Sequence, residues 1–158
     1  KSLRKTRNMT AAPDLLREQG LRVTAARVAV LDLLADRSHL TAEDVTSEVR
    51  ARIGSVSAQA VYHVLGSLVA AGLLRRIEPA GSAALYERRV GDNHHHLVCR
   101  SCGRVVDVDC LSARGGPCLD PPDRQGFHVD EAEVVFWGTC SSCRRSRSAS
   151  PSTEREST

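Results

Sequence analysis

The residues with the clearest chemistry are two cysteine pairs, Cys99-Arg-Ser-Cys102-Gly and Cys140-Ser-Ser-Cys143, with residues 103–139 between them. Two such turns can each present two thiolates to one tetrahedral zinc, at bond lengths of about 2.3 Å. A closed four-sulfur set leaves no position for a substrate, so the expected role is structural. Unrelated thiols or a dithiol redox pair would also supply cysteines, but neither needs the doubled spacing. Cys110 and Cys118 fit neither pair and read as incidental or partly buried thiols.

A second cluster is Asn93-His94-His95-His96, just before Cys99. On a strand His94 and His96 point to one face and His95 to the other, so two imidazoles can share a metal. Histidine tracts are often merely solvated. Here Glu87 and Asp107 lie near in sequence and His39 falls at the end of an expected helix, so three histidines and two carboxylates can assemble. Nitrogen and oxygen donors in that mixture suit Fe(II), Mn(II) or Zn(II), and a set drawn from two lobes would couple metal to lobe geometry.

A third signal is a helix with an apolar stripe of Ala60, Val61, Val64, Leu65, Leu68 and Val69, capped by Ser57 and closed by Gly72. Its other face carries Gln59, Tyr62, His63 and Gly66, and residues 54–74 contain no Lys or Arg. Such a helix would read bases or sugars with neutral groups while Arg22, Arg27, Arg75 and Arg76 contact phosphate or the minor groove. Packing onto another protein is the competing use of that face.

These groups need elements to hold them. Thr24 can cap a helix carrying Val28, Leu31 and Leu34. Thr41 and Asp44 resemble a capping box, followed by Val45, Val49 and Ile53 up to Gly54. LLRRIEP and ALYERR flank Ala80, Gly81 and Ser82 as a β-hairpin would. Helices followed by a hairpin are the order of a winged helix-turn-helix. Beyond Asn93 the texture is β: HHLVC, GRVVDVD and HVDEAEVVFW, interrupted by the Pro- and Gly-containing stretch 111–126. The fold class expected is α+β: a flexible arm (1–12), a winged-helix DNA-binding domain (13–90), a small zinc-stapled α/β dimerisation domain (91–143) and a disordered tail (144–158).

Charge follows the same division. The net charge is +3, but both ends are basic, residues 9–90 are nearly balanced, and residues 91–143 are acidic, as a cation-binding lobe would be. About 50 residues are too few for an independent core, so this lobe needs a metal, a partner chain or both. No apolar run approaches the roughly 20 residues of a membrane span and no signal-peptide core follows the basic start, so a cytoplasmic protein without membrane contact is expected.

The stretches GLRVTAARVAVL, SAQAVYHVLGSLVAAGLLRRI, DNHHHLVCRSCG and CSSC together resemble the ferric uptake regulator family in order and spacing, over about residues 14–143. YERRVGDNHHHLVCRSCG and DEAEVVFWGTC are most similar to its actinobacterial, peroxide-responsive branch, which represses a catalase-peroxidase gene. The resemblance implies a homodimeric, metal-dependent repressor, not an enzyme, on a near-palindromic operator in double-stranded DNA. It implies one structural Zn(II) per chain on Cys99, Cys102, Cys140 and Cys143. It also implies a regulatory Fe(II), or Mn(II) or Zn(II), on His39, Glu87, His94, His96 and Asp107. Arg22 matches a minor-groove basic residue and Tyr62 a base-contacting tyrosine; His63 stands where many members have Arg or Asn. A further family metal site is not expected, because Asn93 and Ala132 occupy two of its ligand positions. Asp107 resembles the peroxide sensors and Glu87 the iron regulators, so control of iron or zinc uptake is the alternative. A zinc-ribbon interaction module would explain the cysteines but not the winged helix, and a zinc hydrolase lacks a nucleophile and base.

Overall fold

Hydroxyl side chains start three of the four helices in the first part of the chain, because each supplies an acceptor for an otherwise unpaired N–H of a helix's first turn. The computed structural model describes residues 11–92, 94–109, 121–129 and 132–148. Helix α1 (Ala12–Glu18) opens with Pro13 in its first turn. Thr24 caps α2 (Ala25–Asp36), its hydroxyl accepting from Arg27 N at 3.3 Å. Ser57 caps α4 (Ala58–Ala70) through Ala60 N at 3.1 Å. At α3 (Ala42–Ile53) the capping box is complete: Thr41 Oγ1 accepts from Asp44 N at 3.1 Å, and Asp44 Oδ2 accepts from Thr41 N at 3.1 Å and from Thr41 Oγ1 at 2.6 Å.

The helices bury one stripe each into a common core. Leu16, Val30, Leu31, Leu33, Leu34, Val45, Val49, Val61, Leu65 and Leu68 are all within 1% of complete burial. Two residues expected on these stripes lie outside the core. Ile53, in the last turn of α3, is 38% exposed, and Ala60, in the first turn of α4, is exposed. A period of four drifts round a helix of 3.6 residues per turn, which carries the end residues off the buried face.

Between α3 and α4 the chain direction turns by 108° over residues 54–57. Gly54, at φ 82°, supplies the left-handed residue that ends α3, and Arg50 Nε donates to Val56 O at 2.8 Å across the turn. That angle and that turn length are those of a helix-turn-helix. The wing is the expected hairpin, β2 (Arg75–Ile77) with β3 (Leu85–Glu87), turned by Ser82 N donating to Pro79 O. A strand of two residues, β1 (Leu40–Thr41), adds to its other edge through Leu40↔Tyr86 and Thr41↔Leu85, so the sheet order is β1-β3-β2, all antiparallel.

A second unit begins at Gly91. Its central strand β4 (His94–Cys99) pairs antiparallel with β5 (Val105–Asp109) and parallel with β6 (Val135–Gly138). The last strand is shorter than the β texture of HVDEAEVVFW: His128 and Val129 are outside it. Helix α5 (Ser141–Ser148) starts at the second cysteine pair and runs through residues 144–148, a correction to the disordered tail expected from residue 144. Cys110, Cys118 and Asn93 lie outside the described residues, as do the arm 1–10 and residues 149–158. No helix among the described residues is long and apolar enough to cross a membrane by itself.

Removing Thr41 Oγ1 should expose the cost of an open helix start. Thr41→Ala is expected to lower stability by about 1 kcal/mol at neutral pH, read by urea unfolding. The Thr41 hydroxyl and N–H hold the Asp44 carboxyl below its ordinary range. A depressed folded-state pKa adds stability that is present above the unfolded value and disappears as pH falls through the folded one. The gap between the wild type and Thr41→Ala should therefore narrow in acid.

Candidate metal centres and nucleic-acid face

Because β4 and β6 run parallel, their C-terminal ends lie at the same edge of the sheet, and both cysteine pairs sit at that edge. Cys99 ends β4. The turn after it is closed by Gly103 N donating to Cys99 O at 2.9 Å, with Gly103 at φ 71°. Arg100 N donates to Gly138 O at 2.8 Å, tying this turn to the end of β6. Cys140 follows β6 and its N–H donates to Cys99 Sγ at 3.3 Å; Cys143 lies in the first turn of α5.

All four sulfurs lie within 4.8 Å of one another, and Cys102 Sγ is 3.9 Å from Cys140 Sγ. A tetrahedron with Zn–S bonds of about 2.3 Å has edges of about 3.8 Å. The donor set therefore fits a structural zinc site. Its electrostatics are those of a cation site. Backbone N–H groups of Cys140, Cys102 and Ser101 lower the Cys99 thiol to about 6. The N–H of Cys143 lowers Cys140 in the same way. The crowding sulfurs of Cys140, Cys102 and Cys99 push Cys143 up to about 12. Four thiolates repel one another in this arrangement until a cation sits among them. Beside the cluster the Arg100 guanidinium lies 5.1 Å from the centre of the Trp137 ring.

The histidines and carboxylates occur as two sets, one in each unit. In the first unit, His39 follows α2 at φ 61°, a conformation costing about 1 kcal/mol or more for a residue with a Cβ. Its Nε2 is 3.0 Å from Oε2 of Glu87, the last residue of β3, which is completely buried. The β1–β3 pairing holds the two together, since His39 directly precedes Leu40. A spacing of 3.0 Å is that of two donors bound at about 2.1 Å and a right angle to one metal.

In the second unit, His94 and His96 share a face of β4 with ring centres 4.9 Å apart, and both are buried. Asp107 is the cross-strand partner of His96, its Oδ1 3.8 Å from His96 Nε2. The strand alternation expected from sequence holds: His95 lies on the other face, edge-on to Phe136 at 6.3 Å. It is nevertheless buried rather than solvated. Asp92 is absent from the ligand set expected from sequence, yet its Oδ1 is 2.7 Å from His94 Nδ1. The Asp-x-His spacing ahead of a strand, which puts residues i and i+2 on one side, is the signal that points to it.

On the first unit, Ser57, Gln59, Tyr62 and His63 are exposed together at the start of α4, Tyr62 to 52%. Arg22 is exposed ahead of α2, and half-buried Arg27 donates from Nη1 to the Arg22 carbonyl at 2.8 Å. Arg76 is committed to an ion pair with Glu78.

Residues 18–114 match the ferric uptake regulator family. The chain belongs to the ferric uptake regulator family. It is 52% identical over 138 residues to the transcriptional regulator FurA of Mycobacterium tuberculosis, covering 85% of this chain and 93% of that one. It is 50% identical over 131 residues to ferric uptake regulation protein 2 of Mycolicibacterium fortuitum, covering 82% and 90%. Among solved structures it resembles the ferric uptake regulator of Pseudomonas aeruginosa with manganese, at TM-score 0.62 and 28% identity, over 84% of this chain and 99% of that one. The relatives named as transcriptional regulators agree with a regulator of this family rather than an enzyme, and the winged-helix architecture agrees with its fold.

Cys99→Ser and Cys140→Ser each remove one corner of the sulfur cluster. Both variants are expected to purify with well under one zinc per chain by elemental analysis, and to lose stability by several kcal/mol, since structural zinc sites contribute on the order of 10 kcal/mol in small peptides. Stoichiometric zinc with unchanged stability in either variant would contradict the assignment.

Proposed function

We propose that this regulator is a homodimeric, metal-dependent repressor that releases DNA in response to peroxide and controls oxidative-stress genes of the catalase-peroxidase type. The observation that carries the reading is the division of buried and half-buried histidines and carboxylates between the two units, half-buried His39 with buried Glu87 in one and buried His94 and His96 with half-buried Asp107 in the other. A carboxylate as buried as Glu87 is stable only beside donors or a cation. One divalent ion held by all five residues would make the conformation of the DNA-binding unit depend on metal. The cysteine cluster would hold a separate structural zinc.

The neutral face of α4 is the base-reading surface in this proposal, with Ser57, Gln59, Tyr62 and His63 toward the major groove and Arg22 and Arg27 toward the backbone or minor groove. The support is the common exposure of the four α4 residues at the start of the second helix of a helix-turn-helix. Tyr62→Ala should weaken operator binding by about 1–3 kcal/mol and relax base preference, whereas Arg22→Ala should chiefly lower affinity and flatten its salt dependence. Two protomers require a near-palindromic site, so a half-site should bind far more weakly. Unchanged affinity in Tyr62→Ala would mean that another face of the unit meets DNA.

Fe(II) in a set of only nitrogen and oxygen donors supplies reactivity toward hydrogen peroxide. The residues exposed to that oxidant would be the imidazoles themselves, His39 and His94 first, and their modification would remove donors and release the DNA-binding unit. Thiol oxidation at Cys99 or Cys102 is the competing trigger, since thiolates are also oxidised by peroxide. One equivalent of peroxide added anaerobically to the Fe(II) protein should place one oxygen on a histidine, with zinc retained. A disulfide with zinc released and all histidines intact would establish the thiol route. Undiminished DNA binding after peroxide would favour control of iron uptake, the role in the name of the Mycolicibacterium relative.

A further inference from the structure

Asp92 precedes β4 by two residues, and its Oδ1 lies 2.7 Å from His94 Nδ1. An ionised carboxylate has only acceptors, so in this position it would take a hydrogen bond from Nδ1–H. The neutral imidazole then keeps its lone pair on Nε2. The two partners differ in environment: the His94 side chain is fully buried, while 39% of the Asp92 side chain is exposed. The carboxylate therefore reaches solvent while the ring does not.

We propose that Asp92 is a positioning residue that fixes the tautomer and ring orientation of His94, so that Nε2 is the nitrogen offered to a divalent cation. The proposal rests on the reading of His94 as a regulatory-metal ligand. A ring that must find its tautomer and rotamer during binding loses affinity, and a carboxylate on the far nitrogen raises the basicity of the donor. Asp92 acts through the ring and need not touch the metal. A purely architectural role, holding the bend at residues 91 and 92, would act on stability and not on the tautomer.

The test uses the full zinc-loaded chain with Mn(II) alone as probe, free Mn(II) being followed by electron paramagnetic resonance. Asp92→Ala is expected to weaken Mn(II) binding by roughly 10–100-fold, and Asp92→Asn less, because an amide oxygen still accepts from Nδ1–H. In a His94→Ala background Asp92→Ala should cause no further loss. Long-range proton–nitrogen NMR of the Mn(II)-free protein should show His94 protonated at Nδ1 in the wild type and shifted toward Nε2 protonation in Asp92→Ala. An equal loss of affinity in both backgrounds, or an unchanged tautomer in Asp92→Ala, would overturn the positioning role. If His94→Ala itself leaves Mn(II) binding intact, the ligand assignment fails instead, and the tautomer measurement still reports on Asp92 alone. Zinc content measured on each variant confirms that the second unit is folded, and Asp92→Asn, which preserves shape, covers the case in which Asp92→Ala does not fold.

Discussion

The described residues of the second unit hold almost no apolar interior on which to stand. Among its described residues only Val98 and Cys99 are buried apolar side chains, whereas the first unit packs three full helix stripes and part of a fourth around Leu31, Val45 and Leu65. Two buried side chains, at about 1.5–3 kcal/mol each, cannot offset the ordering of three strands and a helix. Four sulfurs gathered at one end of the sheet are the remaining source of cohesion inside the described residues. The parallel pairing of β4 with β6, the Gly103 turn and the Arg100–Gly138 bond all serve to bring them there. The histidine face of β4 begins on the same strand that ends in Cys99, so the placement of His94 and His96 is tied to that of the sulfur cluster.

The first unit solves a different problem. Its core is large enough to be held by apolar contact, and its polar residues are free to carry function. Burial of Glu87 and the left-handed backbone of His39 are departures from what stability alone favours. They occur together, at one contact, where a short strand joins the wing. The exposed face of α4 is a departure of another kind: Ser57, Gln59, Tyr62 and His63 lie together on it with no Lys, Arg, Asp or Glu among them.

Local chemistry is legible in the sequence wherever a feature is completed within a few residues. The caps at Thr24, Thr41 and Ser57, the break at Gly54 and the hairpin around Gly81 depend on neighbours along the chain, and each is present. The cysteine pairs are legible because their spacing is itself geometric information. Strand β1 is not, since a strand of two residues has no period and exists only through pairing with β3. Helix α5 is not, because SSCRRSRS has no apolar stripe; the cysteines at its start anchor it instead. His39 stands out as a ligand candidate, but its contact with Glu87 depends on that same unreadable pairing. Asp92 reads as an ordinary loop carboxylate unless its Asp-x-His spacing to His94 is weighed, a weak signal beside the histidine tract itself.

The parallel pairing of β4 and β6 also bears on fidelity of folding. A strand as short as Val135–Gly138 could slide past β4 and still find backbone partners. Sliding by one position would exchange Phe136 with its neighbours across the sheet and displace Cys140 by about 3.3 Å. A displacement of that size exceeds the tolerance of a metal–sulfur bond, so a misaligned chain could not close the tetrahedron. The cysteine cluster would thus work as a gauge: only a chain threaded with Leu97 opposite Phe136 could close four sulfurs around one ion, and a bound ion would mark that chain as correctly assembled.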